Sequence, residues 1–138
     1  MKVYLVLVMV NHQCFSSADM DHIYKIFVTR VVDGDTIDAE IDLGFDLKLK
    51  KRIRLYGINT PETRTRDKEE KKRGLAAKKR LQQIIDEQQG VLYLKSLDKG
   101  KFGRCIGVLF CEDFDDESIN DTLVQEGHAV EYFGGKRN

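Results

Sequence analysis

From Thr36 to Leu43 the chain alternates Ile37, Ala39, Ile41 and Leu43 with Thr36, Asp38, Glu40 and Asp42. A period of two fits a pleated strand with one buried face and is incompatible with a helix. Ile23 to Val32, rich in β-branched and aromatic residues, reads as a strand before it. Asp33-Gly34-Asp35 supplies the tight turn between the two. After a turn at Gly44, alternation resumes from Leu47 to Ile58 and predicts a third strand.

Pro61 breaks this pattern and holds Thr60 extended. From Asp67 to Gln89 the period lengthens to that of a helix, with Ala77, Leu81, Ile84, Ile85 and Gln88 on one stripe and Gly90 as its stop. Val91–Leu97 and Arg104–Cys111 read as two more strands. Ser118 to Glu126 reads as a short helix, capped by Ser118 or Asp116 and ended by Gly127. The order describes an α+β, mainly β chain. It fits a five-stranded oligonucleotide/oligosaccharide-binding (OB-fold) barrel, with a helix after strand 3 and a C-terminal helix. A ferredoxin-like or other α+β layer fits the same strings less well.

Length and charge bound the function. With 138 residues the chain suits one domain, and its net charge of zero does not by itself indicate a polyanion partner. The distribution of charge says more. Cations gather at Arg64–Arg80 and at Lys48, Lys50, Lys51, Arg52 and Arg54, and acids at Glu112–Asp121. Such a dipolar surface can hold a polyanion on one side, although on charge alone a solvated, salt-bridged helix is the simpler reading. Three cysteines, Cys14, Cys105 and Cys111, form neither a disulfide framework nor a zinc spacing.

The amino-terminal stretch has two readings. Lys2 followed by the apolar run Val3–Val10 and by Ser16 and Ala18 resembles a short signal peptide. Alternatively, the domain begins at Met20 and residues 1–19 are a dispensable leader, with an added strand as a third choice. The first implies secretion and the second a cytoplasmic protein. The run is too short to span a membrane.

Three clusters carry the chemistry: Asp33-Gly34-Asp35-Thr36, Arg54 through Glu62, and Lys101-Phe102-Gly103-Arg104. Singly, each has a structural explanation as a turn former, a surface cation or a helix cap. Together they form a functional set. Asp35, Asn59, the Thr60 carbonyl and Glu62 are hard oxygen donors suited to Ca²⁺. Arg54 and Arg104 are planar cations that grip phosphate through paired hydrogen bonds. A carboxylate able to take a proton from water completes what phosphodiester hydrolysis requires.

In order and spacing, these clusters resemble the motifs of the staphylococcal nuclease family, and Leu123-Val124-Gln125-Glu126-Gly127 resembles that family's last helix and its glycine stop. The resemblance spans roughly residues 23–133. It implies a monomeric calcium-dependent nuclease acting on DNA and RNA and leaving 3′-phosphate ends. It implies Asp35, Asn59 and Thr60 as Ca²⁺ ligands, Glu62 as the group that orients or deprotonates water, and Arg54 and Arg104 as transition-state stabilisers. Lys101, Phe102, Arg64, Arg66 and Tyr132 would contact substrate, Phe102 and Tyr132 by stacking on bases. The family usually has Asp where Asn59 stands and Tyr where Phe102 stands, so the implied metal site is one negative charge short. A barrel that binds nucleic acid without cutting it is the competing expectation, and a protein-interaction domain using the acidic 112–121 segment is the third.

Overall fold

The computed structural model describes residues 23–99, 105–112 and 117–133. The leader at 1–19, Cys14, Lys101, Phe102 and Arg104 lie outside the described residues. Five strands close a barrel: β1 (Ile23–Asp33), β2 (Thr36–Gly44), β3 (Leu47–Leu55), β5 (Val91–Lys99) and β6 (Cys105–Phe110). Between β3 and β5 come a two-residue strand β4 (Ile58–Asn59) and the helix α1 (Lys68–Glu87). Helix α2 (Ile119–Gln125) and a short β7 (Val130–Glu131) follow β6.

The barrel closes through β1. Its first half pairs antiparallel with β5, from Ile23↔Lys95 to Phe27↔Val91, and its second half pairs with β2. Irregularities at Val28/Arg30 and Val31/Asp33 let one long strand coil between two neighbours. β3 and β6 seal the seam in parallel, Ile53↔Cys105 to Leu55↔Gly107. Alternation builds the interior: Ile37, Ala39 and Ile41 from β2 and Ile53 and Leu55 from β3 are all buried. They meet Ile26, Leu92, Leu94 and Leu109 from the other strands and Leu81 and Leu123 from the helices. Each such side chain contributes about 1.5–3 kcal/mol by leaving water.

α1 forms where the residues dictate. Asp67 accepts from the Glu69 and Glu70 amides at 3.0 and 3.3 Å, and both acids favour the positive end of the helix. Its buried stripe is Gly74, Ala77, Leu81, Ile84 and Ile85, and Gly90 ends it with a φ of +82°. α2 is capped by Ser118, which accepts from the Asp121 amide at 3.1 Å. An ion pair joins the helices, Arg80 Nε and Nη2 donating to the two Glu126 oxygens at 2.6 and 3.0 Å.

The third strand is shorter than its alternation suggests. β3 ends at Leu55, the chain turns at Tyr56-Gly57 with Gly57 at φ +76°, and Ile58–Asn59 leaves the barrel. β4 pairs instead with β7, Ile58↔Glu131 and Asn59↔Val130. Asn120, buried, stitches this corner together. It accepts from the Leu109 amide at 3.1 Å and donates to the Tyr56 and Gly107 carbonyls at 2.8 and 3.3 Å. Cys105 and Cys111 are partly buried and pack against the core. Among the described residues no helix is long and apolar enough to cross a membrane.

Candidate functional site

The β1–β2 turn, the end of β3 and the stretch after β4 converge at one end of the barrel. Together they line a polar cleft of about 170 Å³ containing Asp35, Arg54, Asn59, Thr60 and Glu62. Asp35 is buried at 7% exposure and held from several sides. Its backbone carbonyl accepts from the Leu55 amide at 2.8 Å. Its carboxylate accepts from the Thr36 hydroxyl at 2.9 Å and the Thr60 amide at 3.0 Å. These bonds fix the carboxylate and leave each oxygen a further lone pair for a cation in the cleft.

Arg54 crosses the same cleft. Its Nη1 donates to the Leu55 carbonyl at 3.0 Å and lies 3.4 Å from the Asp35 carboxylate. Its Nη2 donates to the Asn59 side-chain oxygen at 3.4 Å. The contacts at 3.4 Å are long, so the guanidinium is oriented without being consumed. Register explains why Arg54 is available. On the outward face of β3, Lys48, Lys50 and Arg52 stand opposite Asp42, Glu40 and Asp38 of β2, but Arg54 stands opposite Thr36. Arg52 is captured outright: it donates to both Asp38 oxygens at 2.8 and 3.1 Å and holds that carboxyl below its ordinary range. Three of the five cations of the β3 run, Lys48, Lys50 and Arg52, therefore stand opposite an acid across the ladder.

Two close approaches set the cleft's depth. A Cβ on Gly34 would meet the Ala77 Cβ at 2.7 Å, so Gly34 serves helix packing more than turn formation. A Cβ on Gly74 would meet the Glu62 and Pro61 carbonyls at 2.6 and 2.7 Å. α1 thus leans directly on the loop that carries Glu62. The Thr63 hydroxyl donates to Asp33 at 2.5 Å and ties that loop to the end of β1.

Arg64 and Arg66 are exposed and do not line the cleft. Lys101, Phe102 and Arg104 fall outside the described residues. Tyr132 joins Arg54 in a second cleft of about 310 Å³, together with Tyr56, Ile106 and Phe133. The Tyr132 amide donates to the Gly57 carbonyl at 2.8 Å, and the Tyr56 and Phe133 rings meet edge to face at 5.7 Å. Tyr56, Ile106 and Phe133 were not singled out from sequence. The available signals were Tyr56's place inside the Arg54–Glu62 cluster and Phe133's place beside Tyr132.

Comparison with known proteins agrees with this geometry. Residues 52–138 match the family described as "Staphylococcal nuclease homologue". The chain is 34% identical over 102 residues to "Thermonuclease" from Staphylococcus intermedius, covering 74% of this chain and 56% of that one. It is 29% identical over 112 residues to "Protein ParB" from Escherichia coli, covering 76% and 55%. The chain spans about half the length of these curated relatives. A match over more than half of the chain, on a closed five-stranded barrel with residues of the first two motifs lining one cleft, places this protein in the staphylococcal nuclease family.

Proposed function

We propose that the chain is a calcium-dependent nuclease that hydrolyses phosphodiester bonds in DNA and RNA and leaves 3′-phosphate ends. One observation carries the reading: the Asp35 carboxylate, the Asn59 amide and the Arg54 guanidinium meet in one polar cleft with Glu62 on its wall. The likeness to a protein named thermonuclease supports it.

The donor set suits calcium. Asp35, Asn59 and the Thr60 carbonyl offer hard oxygens of mixed charge. Among the described residues, no group of three or more His, Cys, Asp or Glu stands together to hold a metal. An ion at Asp35 would therefore keep water in its shell. Bound there, calcium supplies positive charge against the phosphoryl oxygens.

The rest is work for the chain's own residues. Arg54 offers two parallel donors to the non-bridging oxygens of the scissile phosphate, with its fork already oriented by the Leu55 carbonyl. Glu62 orients a water for in-line attack and takes its proton as the P–O5′ bond breaks. The departing 5′-oxygen takes a proton from solvent, and the phosphate stays on the 3′ side. Arg104, which lies outside the described residues, is proposed as a second phosphate contact on the family resemblance alone.

End-group analysis tests this reading. A single-stranded oligonucleotide digested in calcium should give fragments ending in 3′-phosphate. Glu62→Gln should lower kcat by about 10²–10⁴-fold, the usual contribution of a positioned acid–base group. Fragments ending in 3′-hydroxyl, or full activity in Glu62→Gln, would remove Glu62 from this role.

A further inference from the structure

The catalytic cleft shares lining residues with two neighbouring cavities. The aromatic cleft with Tyr132 and Phe133 shares Arg54 with it. A larger cavity of about 500 Å³ shares Asn59, Thr60 and Pro61 with it but not Arg54, and its other lining residues include Glu70, Arg73 and His128. A phosphodiester has a nucleoside on each side of its phosphate. With the phosphate at Arg54, the two neighbouring cavities are the places open to the two nucleosides.

We infer that the cavity between α1 and the β4–β7 pair is a second nucleoside subsite, which holds the neighbour of the scissile phosphate that the aromatic cleft does not hold. The inference rests on the nuclease reading above and names a part of its substrate site. Its size lies within the ~300–1,000 Å³ range of ligand pockets. Its chemistry matches a nucleotide. The His128 imidazole offers a flat face for a base, Arg73 a planar fork for a base edge or the next phosphate, and Glu70 an acceptor for an exocyclic amino group.

Backbone contacts hold the segments that carry these side chains. Arg73 directly precedes Gly74, whose bare Cα lies against the Pro61 and Glu62 carbonyls. The Glu70 amide is bonded to Asp67 at the helix start. The His128 amide donates to the Leu123 carbonyl at 2.9 Å, which fixes the chain just after Gly127. A surface pair between Glu70 and Arg73, one helical turn apart, would need none of this.

The test compares the binding of thymidine 5′-monophosphate and of a dithymidylate to the full chain carrying Glu62→Gln, with Arg73→Ala or His128→Ala added. In the parent the dinucleotide should bind about tenfold tighter than the mononucleotide, the gain expected from one stacked base. Each added substitution should remove most of that gain. No gain in the parent, or a gain left intact by both substitutions, would overturn the subsite. So would an equal loss for both ligands, because the residues would then act through the catalytic cleft. Failure of the nuclease reading alone looks different: the native chain leaves an oligonucleotide uncut in calcium while the length-dependent gain, and its loss in the variants, persist.

Discussion

Arg54 faces the uncharged Thr36 across the β2–β3 ladder, whereas Arg52, one pleat away, faces and is captured by Asp38. This difference in register makes one arginine structural and leaves the other available to the site. Arg54→Lys keeps the charge but loses the planar fork. It should lower kcat on single-stranded DNA by about 10²–10³-fold, the usual cost of a transition-state donor. Arg52→Lys should leave kcat within about twofold, because Arg52 does not line the cleft. Steady-state kinetics of the two variants side by side check both statements.

In the proposed calcium site Asn59 is a neutral ligand. Asn59→Asp adds a carboxylate where Arg54 Nη2 now meets an amide oxygen at 3.4 Å. Calcium affinity should rise about tenfold or more, since affinity tracks the number of charged ligands. Calorimetric titration with calcium reads this directly, and an unchanged constant would mean that residue 59 is not a ligand.

Gly74→Ala probes the support under Glu62. The added methyl meets two loop carbonyls at less than 3 Å, so the helix or the loop must shift. Overpacking of this kind costs about 1–3 kcal/mol. Urea denaturation should show that loss, and kcat should fall more than KM rises because Glu62 moves with the loop.

Asn120 holds the corner where β3 gives way to β4. Asn120→Ala leaves the buried Leu109 amide without its acceptor and the part-buried Tyr56 carbonyl without this donor, while the Gly107 carbonyl keeps the Tyr56 amide. A loss of about 3 kcal/mol is expected from unpaired buried groups. Denaturant midpoints measure it.

Glu126 gives the fold a modest pH dependence. The Arg80 guanidinium that it accepts from, and more weakly His128, hold its carboxyl below the ordinary range. A depressed carboxyl contributes stability above its unfolded pKa and loses it as pH falls through the folded one. Glu126→Gln should cost about 0.5 kcal/mol near neutrality, since the pair is partly exposed. The difference from the native chain should vanish in acid, below the depressed value. Thermal melts across pH follow it.

The strands and helices were legible because their periods are long enough to count. Ile37, Ala39 and Ile41 point inward as alternation predicts, and Ser118 caps α2 as a short acceptor should, whereas Asp67, read as the first helical residue, is the cap of α1. The β4–β7 pair was not legible, since two residues carry no period and Leu47–Ile58 alternates straight through the Gly57 turn. Gly34 and Gly74 are set by contacts with partners distant in sequence, Ala77 and the Glu62 loop. Arg54 could be picked out by motif, but its difference from Arg52 depends on a register that only paired strands reveal. Phe133 and Asn120 are likewise defined by what folds against them.

The central claim is that the cleft at Asp35 and Arg54 cuts nucleic acid with calcium. The most direct measurement follows an end-labelled single-stranded DNA by gel in calcium and in excess chelator, with binding read in parallel by fluorescence anisotropy. The account predicts cleavage in calcium and none with chelator. Intact DNA in calcium, with binding retained, would contradict it and leave a barrel that binds nucleic acid without cutting it.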